Sequence, residues 1–209
     1  MNRLDEIIQT EFPTVMVPRH EALSPLQEGR TRLLMAKDGL YIETIQPWGR
    51  LIKRLWLAHR PLPYGEVEEI DTFRDAIDAV SRSEIMVTVM KEAAQYAEDD
   101  KEWMGLVLYE HESGEFLYRP LDFDSTRTSV DYRKAKLRGA SVAVDVHSHG
   151  KIAAGFSPTD DRDDAGGVRI AVVLGNYRKE TGQVKFDYVV RYCVQGFFLP
   201  ANMTGTSRG

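Results

Sequence analysis

The sequence has little cysteine, no long apolar run and no excess of positive charge, and each absence excludes a class of protein. The single cysteine, Cys193, excludes an intramolecular disulfide and a cysteine-rich zinc module. A net charge of −5 argues against a dedicated nucleic-acid binder. No apolar run approaches the roughly 18 residues that cross a bilayer, and residues 1–12 do not resemble a secretory signal. We therefore expect a soluble cytoplasmic protein with neither membrane nor nucleic acid as a partner.

The remaining composition is that of a globular protein. The chain has 209 residues, of which 43% are hydrophobic and 28% charged, so it can bury a core without cross-links. A segment rich in proline and glycine, residues 60–67, interrupts the apolar periodicity. We predict a β-rich N-terminal region at 1–65, a main domain at 66–199 and a flexible tail at 200–209.

Local patterns predict a mixture of helices and strands. Asp71 and Ser83 are suited to begin two consecutive helices, and Ser157 is suited to begin a third helix between two strands. A short helix is also expected over residues 1–10. Strands are expected at 31–36, 38–45, 50–58, 103–110, 115–123, 140–148, 168–177 and 184–199. This order predicts the α+β class, with a mixed central sheet flanked by helices.

Two histidines at the end of a predicted strand suggest a metal site. His147 and His149 are separated by one residue, so on a strand both imidazoles point to the same face. Asp160 follows on a segment long enough to return to the strand end. Two imidazoles and one carboxylate would bind zinc and leave a fourth position open for water, which is typical of catalytic zinc sites.

A hydrolytic site of this kind also needs a base, and Glu102 is the candidate. It immediately precedes an apolar strand that contains Gly105. A carboxylate there could accept a proton from water and deliver it to a leaving amine. Glu98 and Glu110 are the competing candidates.

These residues together resemble the JAMM motif of MPN/JAB-domain metallopeptidases. The matching pattern is Glu102-x-x-Gly105, then His147-x-His149, seven residues, Ser157, two residues and Asp160. The resemblance implies that both histidines and Asp160 bind zinc, that Glu102 is the general base and that Ser157 stabilises the oxyanion. It also implies a core similar to that of cytidine deaminases. Many family members have proline after the second histidine, where this chain has Gly150.

The resemblance also suggests partners. Its implied substrate is a peptide or a ubiquitin-like protein. The arrangement of a short N-terminal region before a compact JAB domain resembles the protein A family of bacterial PRTRC gene clusters. Such clusters resemble ubiquitin-like conjugation systems, which implies a further partner similar to an activating enzyme.

Several alternatives stay open at the level of sequence. The Ser157-to-Asp160 segment also fits an ordinary helix cap, and Asp145 is either a carboxylate that orients a ligand imidazole or a salt-bridged residue. Cys193 is expected to be a core thiol. The alternative function is a non-catalytic JAB/MPN scaffold or binding module. A zinc deaminase would need H-x-E with P-C-x-x-C, and one cysteine cannot supply it.

Overall fold

The computed structural model describes residues 2–121, 123–125, 130–132 and 137–208. The chain divides into two compact units, Met1–Ala76 and Ile77–Gly209. The division lies beyond the expected boundary at residue 65. The reason is that a two-residue strand, Ile70–Asp71, pairs with an earlier strand and extends the first unit. No described helix has the length and apolar character needed to cross a bilayer.

The first unit is built on a five-stranded sheet in the order β1-β2-β3-β4-β5, in which only β1 and β2 are parallel. The buried side chains of this sheet include Leu34, Tyr41 and Ile52. The predicted N-terminal helix and the three strands that follow the first 30 residues are confirmed. Its elements are α1 (Arg3–Glu11), β1 (Thr14–Met16), β2 (Thr31–Ala36), β3 (Gly39–Gln46), β4 (Gly49–Leu57) and β5 (Ile70–Asp71).

A buried carboxylate joins two arginines within this sheet. Glu43 is fully buried and accepts hydrogen bonds from Arg32 Nε at 2.7 Å and from Arg50 Nη2 at 2.6 Å. Arg32 is itself almost completely buried. A buried charge is tolerated only when it is paired, so this group depends on all three side chains.

We expect Glu43→Gln to lower the free energy of unfolding by about 3 kcal/mol, because it leaves buried Arg32 without its counter-charge. The matched control is Glu66→Gln, which breaks the exposed 2.6 Å ion pair with Lys37. That change should cost less than about 1 kcal/mol. Urea unfolding followed by circular dichroism compares the two variants, and equal destabilisation would contradict the structural importance of the buried group.

The second unit is built on a six-stranded mixed sheet in the order β13-β12-β11-β10-β6-β7. β10 and β11 are parallel, and the other neighbours are antiparallel. The fold is therefore of the α+β class, as predicted. Helix α2 (Phe73–Ser81) contains the division between the two units. The elements that follow it are α3 (Glu84–Glu98), β6 (Trp103–Glu110), β7 (Phe116–Pro120), β8 (Phe123–Ser125), β9 (Val130–Tyr132), β10 (Ala140–Ser148), α4 (Pro158–Asp163), β11 (Val168–Glu180), β12 (Gln183–Val194) and β13 (Phe197–Arg208).

Helix α3 covers part of this sheet. Its N-cap is Ser83, whose side chain accepts a hydrogen bond from Ile85 N, as the sequence predicts. Its buried face is mostly alanine, which allows the helix to approach β6 and β10 closely. The buried residues are Val89, Met90, Ala93, Ala94 and Ala97.

The prediction of a flexible tail at 200–209 is wrong for residues 200–208. These residues form the second part of β13, which pairs with β12 on both sides of an irregularity at residues 201–203. The sequence from 184 to 199 was expected to be one strand, but Gln195 and Gly196 form a turn with positive φ angles. This turn folds the chain back as a hairpin, and pairing with β12 orders the polar residues that follow.

Candidate metal centre

The metal-site histidines lie at the carboxyl end of β10, a central strand of the second sheet. His147 pairs with Met104 of β6 on one side and with Val173 of β11 on the other. The backbone N–H of His149 donates to the carbonyl of Leu174 at 2.8 Å. Both neighbouring strands therefore hold the backbone of the histidine pair.

Glycines shape the loop that follows the histidines. Gly150 has a φ of +58°, which proline cannot adopt, so this loop conformation excludes proline after His149. Gly175 of β11 lies under the loop, and a Cβ there would meet Ala154 N at 2.3 Å and Ile152 O at 2.5 Å. The hydrogen bond from Asn176 N to Ile152 O, 2.7 Å long, fastens the loop to β11.

Helix α4 presents Asp160. Ser157 is its N-cap, and Pro158 occupies the first turn, as the sequence predicts. The Ser157 backbone N–H donates to Asp160 Oδ2 at 2.5 Å, while Asp160 N donates to Ser157 Oγ at 3.3 Å. This capping box leaves Asp160 Oδ1 free to face the histidines, so capping the helix does not prevent Asp160 from serving as a ligand.

The three side chains form a group that can hold a metal ion. One donor atom from each of His147, His149 and Asp160 lies within 4.8 Å of the other two. Asp160 Oδ1 is 3.3 Å from His147 Nε2, and Asp160 Oδ2 is 3.9 Å from His149 Nε2. Ligand atoms of a tetrahedral zinc are roughly 3.4 Å apart. His147 Nε2 is buried and has no properly aligned hydrogen-bond partner among the described residues, so the donor set fits a cation.

The charges of the site also favour a cation. Burial acts to lower the pKa of His147, but Asp160 and Asp145 outweigh it and the pKa is raised. Burial, together with the charge of His147, lowers the pKa of His149. Burial opposes ionisation of Asp160, yet His147 and the Ser157 N–H hold its pKa well below the ordinary value. Asp160 is therefore a carboxylate facing imidazole nitrogens.

We expect zinc affinity to fall by at least ~10-fold when the pH is lowered from about 7.5 to about 5.5. An imidazole must be neutral to bind a metal ion, and the raised pKa of His147 means that protons already compete near neutral pH. Competition with a chelator of known pH dependence measures this change. A constant affinity across the range would contradict His147 as a ligand.

Glu102 lies next to this group because of strand register. Ser148 pairs with Trp103, the first residue of β6, so Glu102 reaches the same end of the sheet. Burial raises the pKa of Glu102 to about 7, with His147 lowering it and Asp160 raising it further. Gly105 is required because a Cβ would meet the Trp103 ring at 2.7 Å. This contact gives a physical reason for the glycine in the Glu102-x-x-Gly105 pattern.

The competing glutamates are placed differently. Glu98 is exposed, accepts hydrogen bonds from Lys179 Nζ at 2.9 Å and the Tyr177 hydroxyl at 3.0 Å, and has a lowered pKa because of them. Glu110 lies at the far end of β6, opposite Ala140, where β10 begins. Neither glutamate shares the position of Glu102.

Asp145 is buried on the same strand face as the histidines, as alternation predicts. Its Oδ2 is 3.7 Å from Arg169 Nε, and its Oδ1 has no hydrogen-bond partner among the described residues. The structure therefore favours the salt-bridged alternative. Burial raises the pKa of Asp145 to about 6.

The buried ion pairs next to the candidate site, formed by Asp164 with two arginines, are not predicted from the sequence. Asp164 lies among acidic residues typical of a solvated turn, but it is buried and accepts from Arg169 Nη2 at 2.7 Å and Arg191 Nη2 at 2.8 Å. The available signal was Arg191, a lone charge within the apolar run YVVRYCV. Cys193 beside them is a core thiol, as predicted, and burial raises its pKa to about 12.

Comparison with known families agrees with this geometry. Residues 86–188 match the family model described as prokaryotic homologs of the JAB domain. Residues 2–74 match a domain of unknown function, DUF2016. A search of curated proteins gave no match. The stretch that is similar to JAB-domain homologs contains Glu102, Ser157 and the three residues of the metal-binding group.

Proposed function

We propose that the JAB-type unit is a zinc-dependent peptidase or isopeptidase. The observation that carries the proposal is the group His147, His149 and Asp160, with the partly buried carboxyl of Glu102 at the same end of the sheet. Non-catalytic relatives are expected to lose part of such a set. The retention of all its members therefore favours the enzyme over the scaffold alternative.

His147, His149 and Asp160 would hold the zinc ion. When bound, zinc would polarise the scissile carbonyl and make water more acidic. Glu102 accepts the proton of the attacking water, since burial raises the pKa of its carboxyl and makes it a stronger proton acceptor than an exposed glutamate. It then donates that proton to the leaving amine.

Ser157 is proposed to stabilise the oxyanion. Its Oγ accepts a hydrogen bond from Asp160 N in the capping box. An accepting hydroxyl keeps its own proton available for donation. Ser157 can therefore cap α4 and donate to a developing oxyanion at the same time.

The proposed substrate is the C-terminal tail of a ubiquitin-like partner. The choice of partner rests on the resemblance to the PRTRC protein A family. An extended tail could add to β6 near Glu102, because β7 pairs with β6 only from Gly105 onward. Among the described strands, Trp103 and Met104 pair with β10 alone, and added main-chain hydrogen bonds there would position the tail. The first unit would recognise the folded body of the partner.

The test uses the zinc-loaded full chain and ubiquitin-like proteins that carry a C-terminal extension. Intact mass resolves the products. Cleavage after the terminal residue of the ubiquitin-like protein, lost in Glu102→Gln, supports the proposal. Tight binding without cleavage by zinc-replete protein would support the scaffold function instead.

A further inference from the structure

Arg191 on β12 is a buried residue whose side chain reaches the helix that carries Asp160. It is 7% exposed. Its Nη1 donates to Asp161 Oδ1 at 2.5 Å and its Nη2 to Asp164 Oδ2 at 2.8 Å. Arg191 therefore bridges the carboxylate of Asp161 on α4 and that of Asp164 at the C-cap of α4. Both residues follow Asp160 in the sequence.

The same guanidinium contacts the residue before the helix. Its central carbon lies 3.8 Å from the ring centroid of Phe156 and 4.1 Å from that of Phe198. Phe156 immediately precedes Ser157 and meets the His147 ring edge to face, with centroids 6.4 Å apart. Arg191 thus contacts the α4 segment, residues 156–164, on both sides of Ser157 and Asp160.

The α4 segment has little else to hold it in place. Helix α4 has six residues and none of them is buried. A helix this short is unstable in isolation, and this one has no apolar face to pack. Its position must come from the capping box and from the ionic contacts of its acidic residues.

A second arginine completes the attachment. Arg169 on β11 donates to Asp164 Oδ1 at 2.7 Å and to the carbonyl of Asp163 at 2.8 Å. Its Nε lies 3.7 Å from Asp145 Oδ2 on the histidine strand. Asp164 therefore accepts hydrogen bonds from Arg169 on β11 and from Arg191 on β12. Of these two arginines, Arg191 is the one that also contacts Asp161 and Phe156.

We propose that Arg191 is the positioning residue of the metal centre and holds the α4 segment where Asp160 meets His147 and His149. The inference rests on the proposed metal site. Arginine suits this role because its planar fork donates to two carboxylates while its faces stack on two rings. Lysine keeps the charge but can neither span both carboxylates nor stack in this way.

The first test compares Arg191→Lys with wild type at a temperature below the unfolding transition. Zinc affinity, measured by chelator competition, should fall about 10–100-fold, as for other residues that orient a ligand. In the metal-free protein, hydrogen exchange of a peptide spanning residues 156–164 should become faster. Arg178→Lys is the control, because Arg178 also pairs with two carboxylates, Asp187 and Glu180, but not with α4. It should change zinc affinity by less than about twofold.

A second pair of variants separates positioning from local charge. Asp161→Asn neutralises the carboxylate that accepts from Arg191 Nη1 and so weakens this ion pair, whereas Asp163→Asn removes the same charge from the same helix at a side chain without a described hydrogen bond. We expect weaker zinc binding and faster exchange in Asp161→Asn than in Asp163→Asn. This comparison also tests the positioning role of Arg191 if Arg191→Lys does not fold.

The outcomes distinguish the two proposals. A lower melting temperature of Arg191→Lys, with unchanged zinc affinity and exchange, would make Arg191 a stabilising residue only and overturn the inference. Equal effects of Asp161→Asn and Asp163→Asn would overturn it as well. Wild-type protein that binds no zinc would contradict the proposed function, and the exchange comparison would still show whether Arg191 holds the α4 segment.

Discussion

Glu102→Gln is expected to lower the rate of hydrolysis by at least ~10²-fold, the usual scale for loss of a general base. Glutamine has nearly the same shape as glutamate but cannot accept a proton from water. Because Glu102 is not part of the His147, His149 and Asp160 group, zinc content should stay unchanged. Steady-state cleavage of an extended ubiquitin-like fusion, together with elemental analysis of the same samples, gives both quantities.

Glu98→Gln is the matched control for this variant. Glu98 is exposed and already paired with Lys179, so its replacement should leave turnover close to that of wild type. Loss of zinc from Glu102→Gln would make Glu102 a ligand rather than a base. Near-normal turnover in Glu102→Gln would assign the base to another residue.

The parts of the site predicted from sequence are those that depend on local geometry. Alternation along a strand places His147 and His149 on one face, and a serine, proline and aspartate at fixed spacing begin a helix. The strand order that sets Glu102 beside Ser148 is not local, and only the resemblance to a family suggested it. The six-stranded sheet supplies the physical reason, which is the antiparallel register of β6 and β10.

The parts that were missed depend on contacts between residues distant in sequence. Arg191 and Asp164 are 27 positions apart, and nothing near Asp164 in the sequence distinguishes it from solvated acidic neighbours. The last strand was missed for a related reason. Residues 200–208 contain few large apolar side chains and carry no clear strand pattern, but β12 offers an edge with which their backbone pairs. Tertiary pairing outweighs weak local preference in both cases.

His147→Ala is expected to remove stoichiometric zinc from the purified protein. With one of the three proposed ligands lost, zinc affinity should fall by more than the about 10–100-fold associated with loss of a residue that merely orients a ligand. The Nε2 of His147 is buried, and the carboxylate oxygen 3.3 Å from it belongs to Asp160 of the same group, so this nitrogen already faces the position proposed for the metal. Asp160→Ala should have the same effect and should also lose the capping contact with the Ser157 N–H.

Thermal unfolding with and without zinc gives a measure of binding that is independent of activity. A ligand present at 100 times its dissociation constant stabilises the native state by about 2.7 kcal/mol. Wild type should therefore melt at a higher temperature when zinc is added, whereas His147→Ala should not respond. His111→Ala is the control, because His111 is an exposed histidine outside the metal-binding group and its loss should preserve the response. Unchanged stoichiometric zinc in both His147→Ala and Asp160→Ala would contradict the ligand assignment, since the protein would then bind zinc through other residues.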